Sequence, residues 1–178
     1  PTLRPWYSHM SRKYRYFYSE NSTLNQQFTA FNPRIGVVYN PIQQKDIQLF
    51  ANISNSYEPP TFDELVGTEV TSNINTSPKK LFSIDLKKQT ATTFEVGSKG
   101  RLTQLSWNVA FYNSWVTNEI LEIKDYVRGL KRTENYPKTL HQGLEVGLQV
   151  ASKPHVLGYN IGSFTLGAVY NYSRFIFK

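Results

Sequence analysis

Two stretches of alternation constrain this chain more than any other feature. Leu105, Trp107, Val109 and Phe111 are separated by Ser106, Asn108 and Ala110, with Gln104 and Tyr112 flanking them. The pattern returns with the parity switched. Leu140, Leu144, Val146, Leu148 and Val150 oppose His141, Gly143, Glu145, Gly147 and Gln149. Strand side chains point alternately to the two faces, so a period of two gives a strip with one apolar and one polar face. No charged residue falls between Leu102 and Asn118. Even so, Gln, Ser, Asn and Thr interrupt that run too often for a membrane helix, which needs about 20 mostly apolar residues in succession. Both stretches are expected to be long strands.

The 178 residues are rich in Tyr (12) and Phe (11) and contain no Cys. Without Cys there can be no disulfide scaffold, thiolate zinc site or Cys nucleophile. Negative mean hydropathy argues against a helical span. It does not argue against a membrane β-barrel, where only every second residue meets lipid. A net charge of +7 favours anionic partners. The charges lie scattered through the irregular segments and mixed with Asp and Glu, so nucleic acid is not an expected partner. The opening residues, Pro1 to Met10, lack the charged and apolar regions of a signal peptide. The sequence ends inside an apparent strand, Phe175-Ile176-Phe177-Lys178. It is read as part of a longer protein.

The alternation extends along most of the chain. Residues 1–32 are the hardest to place. Ser11 to Tyr18 alternates loosely and mixes basic with aromatic residues, a combination that can stack on nucleic acid, but it is read as an aromatic strand end. Ser19 to Thr29 looks like a loop. Ile35, Val37 and Tyr39 then share a face, and Pro41 to Asp46 is expected to turn. Ile47, Leu49, Ala51 and Ile53 oppose Gln48, Asn52 and Ser54 until Pro59-Pro60 ends the strand. A long irregular segment spans about 57–89. Thr92, Phe94 and Val96 alternate with Thr93, Glu95 and Gly97, and Ser98 to Arg101 reads as a tight turn. A second long segment covers 117–138. After a modest turn over Ser152 to Asn160, Phe164, Leu166, Ala168 and Tyr170 share a face.

In an up-and-down meander, alternate connections lie at the same end. The short turns near 41–46, 98–101 and 152–160 therefore share one rim, and the long segments 57–89 and 117–138 share the other. Outer-membrane barrels sort their connections in this way, whereas a soluble sandwich does not and uses shorter strands. Gln48, Asn52, Gln104, Asn108, Glu145 and Gln149 would each cost free energy in a dry core unless paired. On the wall of a wet lumen they cost little. Gly36, Gly97, Gly143 and Gly147 lie on that same side, which suits crowding against something inside. Glu95, Asn108, His141 and Glu145 are the expected lumen-facing wall.

Nothing in the sequence indicates catalysis. None of His9, His141 and His155 has a second ligand at metal spacing, so no metal is expected. No Gly-x-Ser-x-Gly elbow or Gly-rich phosphate loop is present. Glu119 and Glu122 fall in a segment read as a mobile loop without the apolar pocket that raises a carboxyl pKa. Pro59-Pro60, Phe62 and Leu65 are expected to form a structured exit from a strand. Trp107 and Trp115 share the apolar face, and at least one suits an aromatic girdle at the membrane interface.

Several of these segments, taken together, resemble one family. They are Phe31 to Tyr39, Leu49 to Leu65, Glu95-Val96-Gly97-Ser98-Lys99-Gly100, Asn118-Glu119-Ile120 and His141-Gln142-Gly143-Leu144-Glu145. In this order across residues 31–150 they are similar to the barrel of TonB-dependent outer-membrane receptors. The resemblance implies an all-β antiparallel up-and-down meander, part of a transmembrane barrel of about 22 strands with a plugged lumen. Residues 1–178 would be a partial barrel domain, with the plug and TonB box outside the sequence. The implied activity is import of a ferric siderophore or related metal chelate, driven by TonB in the bacterial outer membrane, with no cofactor. Lipid and lipopolysaccharide would be its surroundings. Arg128, Lys131 and Arg132 are the expected loop cations for an anionic chelate, since guanidinium pairs bidentately with carboxylates. The alternatives are a passive porin-like barrel and a soluble β-rich ligand- or carbohydrate-binding module.

Overall fold

The computed structural model describes residues 2–15, 23–42, 46–61, 63–69, 80–125, 130–152, 155–156, 159–160 and 162–178. Regular structure among these is entirely β. The strands in chain order are β1 (Thr2–Arg15), β2 (Thr23–Tyr39), β3 (Asp46–Glu58), β4 (Val66–Glu69), β5 (Lys80–Ser83), β6 (Gln89–Leu102), β7 (Leu105–Asp125), β8 (Leu130–Ala151), β9 (His155–Val156), β10 (Tyr159–Asn160) and β11 (Thr165–Phe177). One seven-stranded sheet runs β1-β2-β3-β6-β7-β8-β11, so each long strand pairs antiparallel with the next. The pairs β4–β5 and β9–β10 are small ladders inside two of the connections. Each of the seven exceeds the roughly 9–11 residues that a tilted strand needs to cross a bilayer. The sheet is an open meander with β1 and β11 at its edges.

Four sequence expectations are corrected. Thr23 to Thr29 belongs to β2 rather than a loop, in register with β1 through pairs such as Thr29 with His9. Ser98 to Arg101 continues β6, held by β3 through Asp46–Arg101, and the chain reverses instead at Thr103–Gln104. Thr103 adopts φ +54°, the left-handed conformation that tight hairpins demand of a turn residue. Most of 117–138 is also strand. Ile120, Ile123 and their neighbours carry β7 to Asp125, and β8 returns from Leu130 in unbroken register. The β-branched residues in this run outweigh its charges, because an extended ladder leaves charged side chains in solvent. The turn after β8 is longer than expected, running to Phe164, whose N–H and C=O bond Ser152.

Connections still alternate between the two ends, but their lengths do not sort as expected, since 126–129 is shorter than 152–164. Connections 40–45, 103–104 and 152–164 share one end, and 59–88 and 126–129 lie at the other. The exit from β3 is structured as expected. Pro60 and Leu65 are fully buried, and the Leu65 N–H donates to Thr61 O at 3.2 Å. Phe62 lies outside the described residues.

A single sheet has no conventional core. The described buried hydrophobics are Phe28, Leu65, Leu86, Ala110, Val116 and Leu140. Leu105, Trp115, Leu148, Leu166 and Tyr170 instead stand 41–72% exposed on one face. Asn113 and Gln142 interrupt that face and bond each other at 2.6 Å. So continuous an apolar surface must meet something other than water.

Candidate functional site: the polar wall

Antiparallel register arranges the opposite face in rows. One row crosses the sheet as Gly36, Asn52, Glu95, Tyr112, Gly143 and Ser173, and the next as Val38, Phe50, Gly97, Ala110, Glu145 and Asn171. Lys99, Asn108 and Gly147 continue the pattern toward the rim that carries Thr103. Glu95, Asn108, His141 and Glu145 therefore share one face. A hollow of about 500 Å³ lies over it, lined by Arg34, Asn52, Glu95, Lys99, Asn108 and Glu145 among others. Asn52 Nδ2 donates to Glu95 Oε2 at 2.8 Å. Two cations and two carboxylates thus face one wet space.

His141 sits apart from this hollow, in a cluster that sequence reasoning missed. Glu119 accepts from the Thr139 hydroxyl, and both its oxygens lie 3.2 Å from His141 Nε2. Phe175 packs edge-on against the imidazole, with ring centroids 4.6 Å apart. Unbroken alternation from Trp107 and Trp115 would place Glu119 on the apolar side. Asn118 prevents this: it adopts φ +54° opposite Pro137 and turns Glu119 onto the face of Thr139 and His141. Asn tolerates the left-handed region better than most residues because its side chain hydrogen-bonds locally. Pro137 has no N–H to give the ladder. Glu119 is consequently a half-buried strand residue rather than a carboxylate in a mobile loop. The sequence signal was Asn opposite Pro, readable only once the register is known.

The glycines acquire a local explanation. A Cβ on Gly97 would overlap the Phe50 ring, and one on Gly143 would overlap the Tyr112 ring. On the apolar face, a Cβ on Gly100 would come within 2.7 Å of the Trp107 ring, whose Nε1 donates to Ser98 Oγ. In each case an aromatic ring lies across the glycine directly opposite it, the arrangement by which aromatics cover exposed strand glycine. For these three, the crowding comes from the wall itself. Gly147 is open, with its nearest neighbour 3.8 Å from a Cβ.

Of the expected loop cations, Arg128 lies outside the described residues. Lys131 and Arg132 stand on β8 opposite Lys124 and Ile123, near the tip of the β7–β8 hairpin. No group of three His, Cys, Asp or Glu residues suited to a metal occurs among the described residues.

Residues 2–178 match the family described as TonB dependent receptor-like, beta-barrel. The chain belongs to that family. Its members are transport receptors of the Gram-negative outer membrane and not enzymes. Among solved structures, the chain resembles one titled copper transporter OprC, with TM-score 0.60 and 14% identity over 84% of this chain and 21% of that one. The siderophore receptor PirA from Acinetobacter baumannii aligns with TM-score 0.49 and 16% identity, over 72% of this chain and 22% of that one. The chain thus spans about a fifth of these structures. No curated protein matches it.

Proposed function

We propose that this chain is one sector of an outer-membrane receptor that imports a ferric siderophore or related metal chelate with energy relayed by TonB. The observation that carries this reading is the two-faced sheet. One face is apolar and exposed across consecutive strands, while the other carries charges, amides and hydroxyls, as a wall between lipid and a wet lumen requires. The polar rows, including Glu95, Asn108, His141 and Glu145, then line the lumen. The rim bearing connection 59–88 and the β7–β8 hairpin faces outward, toward lipopolysaccharide and ligand. Energy enters through a plug and TonB box elsewhere in the protein, and no bond is made or broken. Lys131 and Arg132 stand near the tip of the outward hairpin; together with Arg128, which lies outside the described residues, they are the cations that would meet an anionic chelate.

The test is growth of a strain lacking the parent gene on single ferric chelates as the iron source. One chelate should restore growth only when the gene is returned, and reversing all three cations to Glu should raise the concentration needed at least tenfold. Growth indifferent to the gene on every chelate would remove the import reading. An unchanged requirement in the triple variant would remove those cations from the site.

A further inference from the structure

Pro33 marks the point where β2 parts from β3. Their pairing runs from Tyr39–Leu49 to Arg34–Ser54 and stops there, since proline has no N–H to continue the ladder. Outward of that point β2 stays paired with β1, up to Thr23–Arg15. Farther along the sheet, β7 and β8 remain paired beyond Thr117, out to Asp125–Leu130. β3 and β6 do not reach so far, and their ladder ends at Glu58–Gln89. Two tall ladders therefore flank a lower stretch of wall.

Residues 84–88 cross that stretch and are tied to both sides. The Lys88 ammonium donates to Thr29 O on β2 and sits 5.7 Å from the Tyr57 ring centroid. On the other side, a single side chain holds the crossing. The Lys87 N–H donates to Asn135 Oδ1 at 2.7 Å, and Asn135 Nδ2 donates to Lys87 O and Asn118 O, each at 2.9 Å. An amide offers an acceptor oxygen and two donor hydrogens. Asn135 therefore meets Lys87 as a neighbouring strand would, and still reaches β7. Leu86 and Phe28 are buried at the crossing. The Ile84 N–H donates to Leu65 O at 2.9 Å, which joins the crossing to the buried exit from β3.

We propose that Asn135 is a positioning residue that fixes the outward half of the β7–β8 hairpin, and with it Lys131 and Arg132, against β2. A two-stranded hairpin is marginally stable by itself in water. Beyond Thr117, β7 no longer pairs with β6, so this half of the hairpin has lost its neighbour on that side. The crossing supplies one, and Asn135 makes the join. Cations held in place meet an anion at a lower ordering cost than cations on a swaying hairpin. The role of the cations rests on the import reading, whereas the clamp itself does not.

Spin labels on Gln27→Cys and Ile123→Cys, in the full-length receptor cleared of other cysteines and held in lipid nanodiscs, report the distance from β2 to the hairpin. The receptor with Asn135 should give one narrow distribution. Asn135→Ala should broaden it at least twofold, and so should Asn135→Asp, which keeps the acceptor but loses both donors. Lys138→Gln, elsewhere on β8, should leave it unchanged. Uptake of the radiolabelled ferric chelate that restores growth gives a second readout. Its half-saturating concentration should rise at least fivefold in Asn135→Ala, with the maximal rate within twofold. Lys87→Cys combined with Asn135→Cys should behave like Asn135→Ala until a short bismaleimide bridges the two thiols. Bridging should bring half-saturation back to within twofold of the original, a rescue that a misfolded variant would not show. An unchanged distribution in Asn135→Ala, a lowered maximal rate with half-saturation unmoved, or no rescue on bridging would overturn the proposal. Should no chelate restore growth, the import reading falls, and the distance measurement alone decides the clamp.

Discussion

Glu119 holds two partners that unbroken alternation would have put on the other side of the sheet. Thr139 is 4% exposed and His141 half-buried, so removing the carboxylate leaves the hydroxyl and the imidazole with only each other, 3.3 Å apart. Leaving buried polar groups unsatisfied costs about 1–3 kcal/mol. Glu119→Ala should lower stability by that amount in urea unfolding of the full-length protein in lipid vesicles, and Glu119→Gln, which keeps an acceptor, by less. A neutral Glu119→Ala would mean that the cluster contributes nothing to the wall. The glycines give a sharper contrast. Adding a methyl group at Gly97 or Gly143 drives it into a ring, and such overpacking costs about 1–3 kcal/mol. Gly147→Ala should be neutral in the same assay, since its nearest contact would be ordinary van der Waals distance. The sequence located these glycines on the correct face but not what crowds them. Which aromatic lies opposite which glycine depends on register, and the turn at Thr103 moves every pairing by several residues from one placed at Ser98.

At the scale of elements, alternation was the legible signal. β3, β6, β7, β8 and β11 were all visible in it, because lipid on one side and water on the other force a period of two. β1 and the start of β2 were not, because their polar residues lack that contrast. The outer half of the β7–β8 hairpin was missed for a related reason: beyond the bilayer neither face needs to be apolar, so composition there reads as loop. That half is anchored at its root. β6 stops pairing with β7 at Thr90–Thr117, and Gln89 Oε1 then accepts the Ile120 N–H at 2.9 Å. The facing of β7 has its own test. Arg at Val109 should cost about 2–4 kcal/mol if that face meets the bilayer midplane. Arg at Asn108 should be mild, and equal harm at both would mean that the faces are assigned wrongly.

For the whole molecule, the resemblance carried by five short segments extends over nearly the entire chain, and the open edges at β1 and β11 fit a sector of a larger barrel. What no local pattern encodes is the cargo. Barrel walls answer to lipid and water, which are the same for every receptor, whereas ligand contacts come from connections that face no such common solvent. The claim that most needs testing is energised import, because a passive channel could be built from the same strands. The decisive measurement is uptake of a radiolabelled ferric chelate by cells expressing the full-length parent, with and without functional TonB. Energised import gives saturable uptake that falls to background when TonB is absent, with chelate still bound at the surface. Uptake that continues undiminished without TonB would contradict it and make the protein a passive pore.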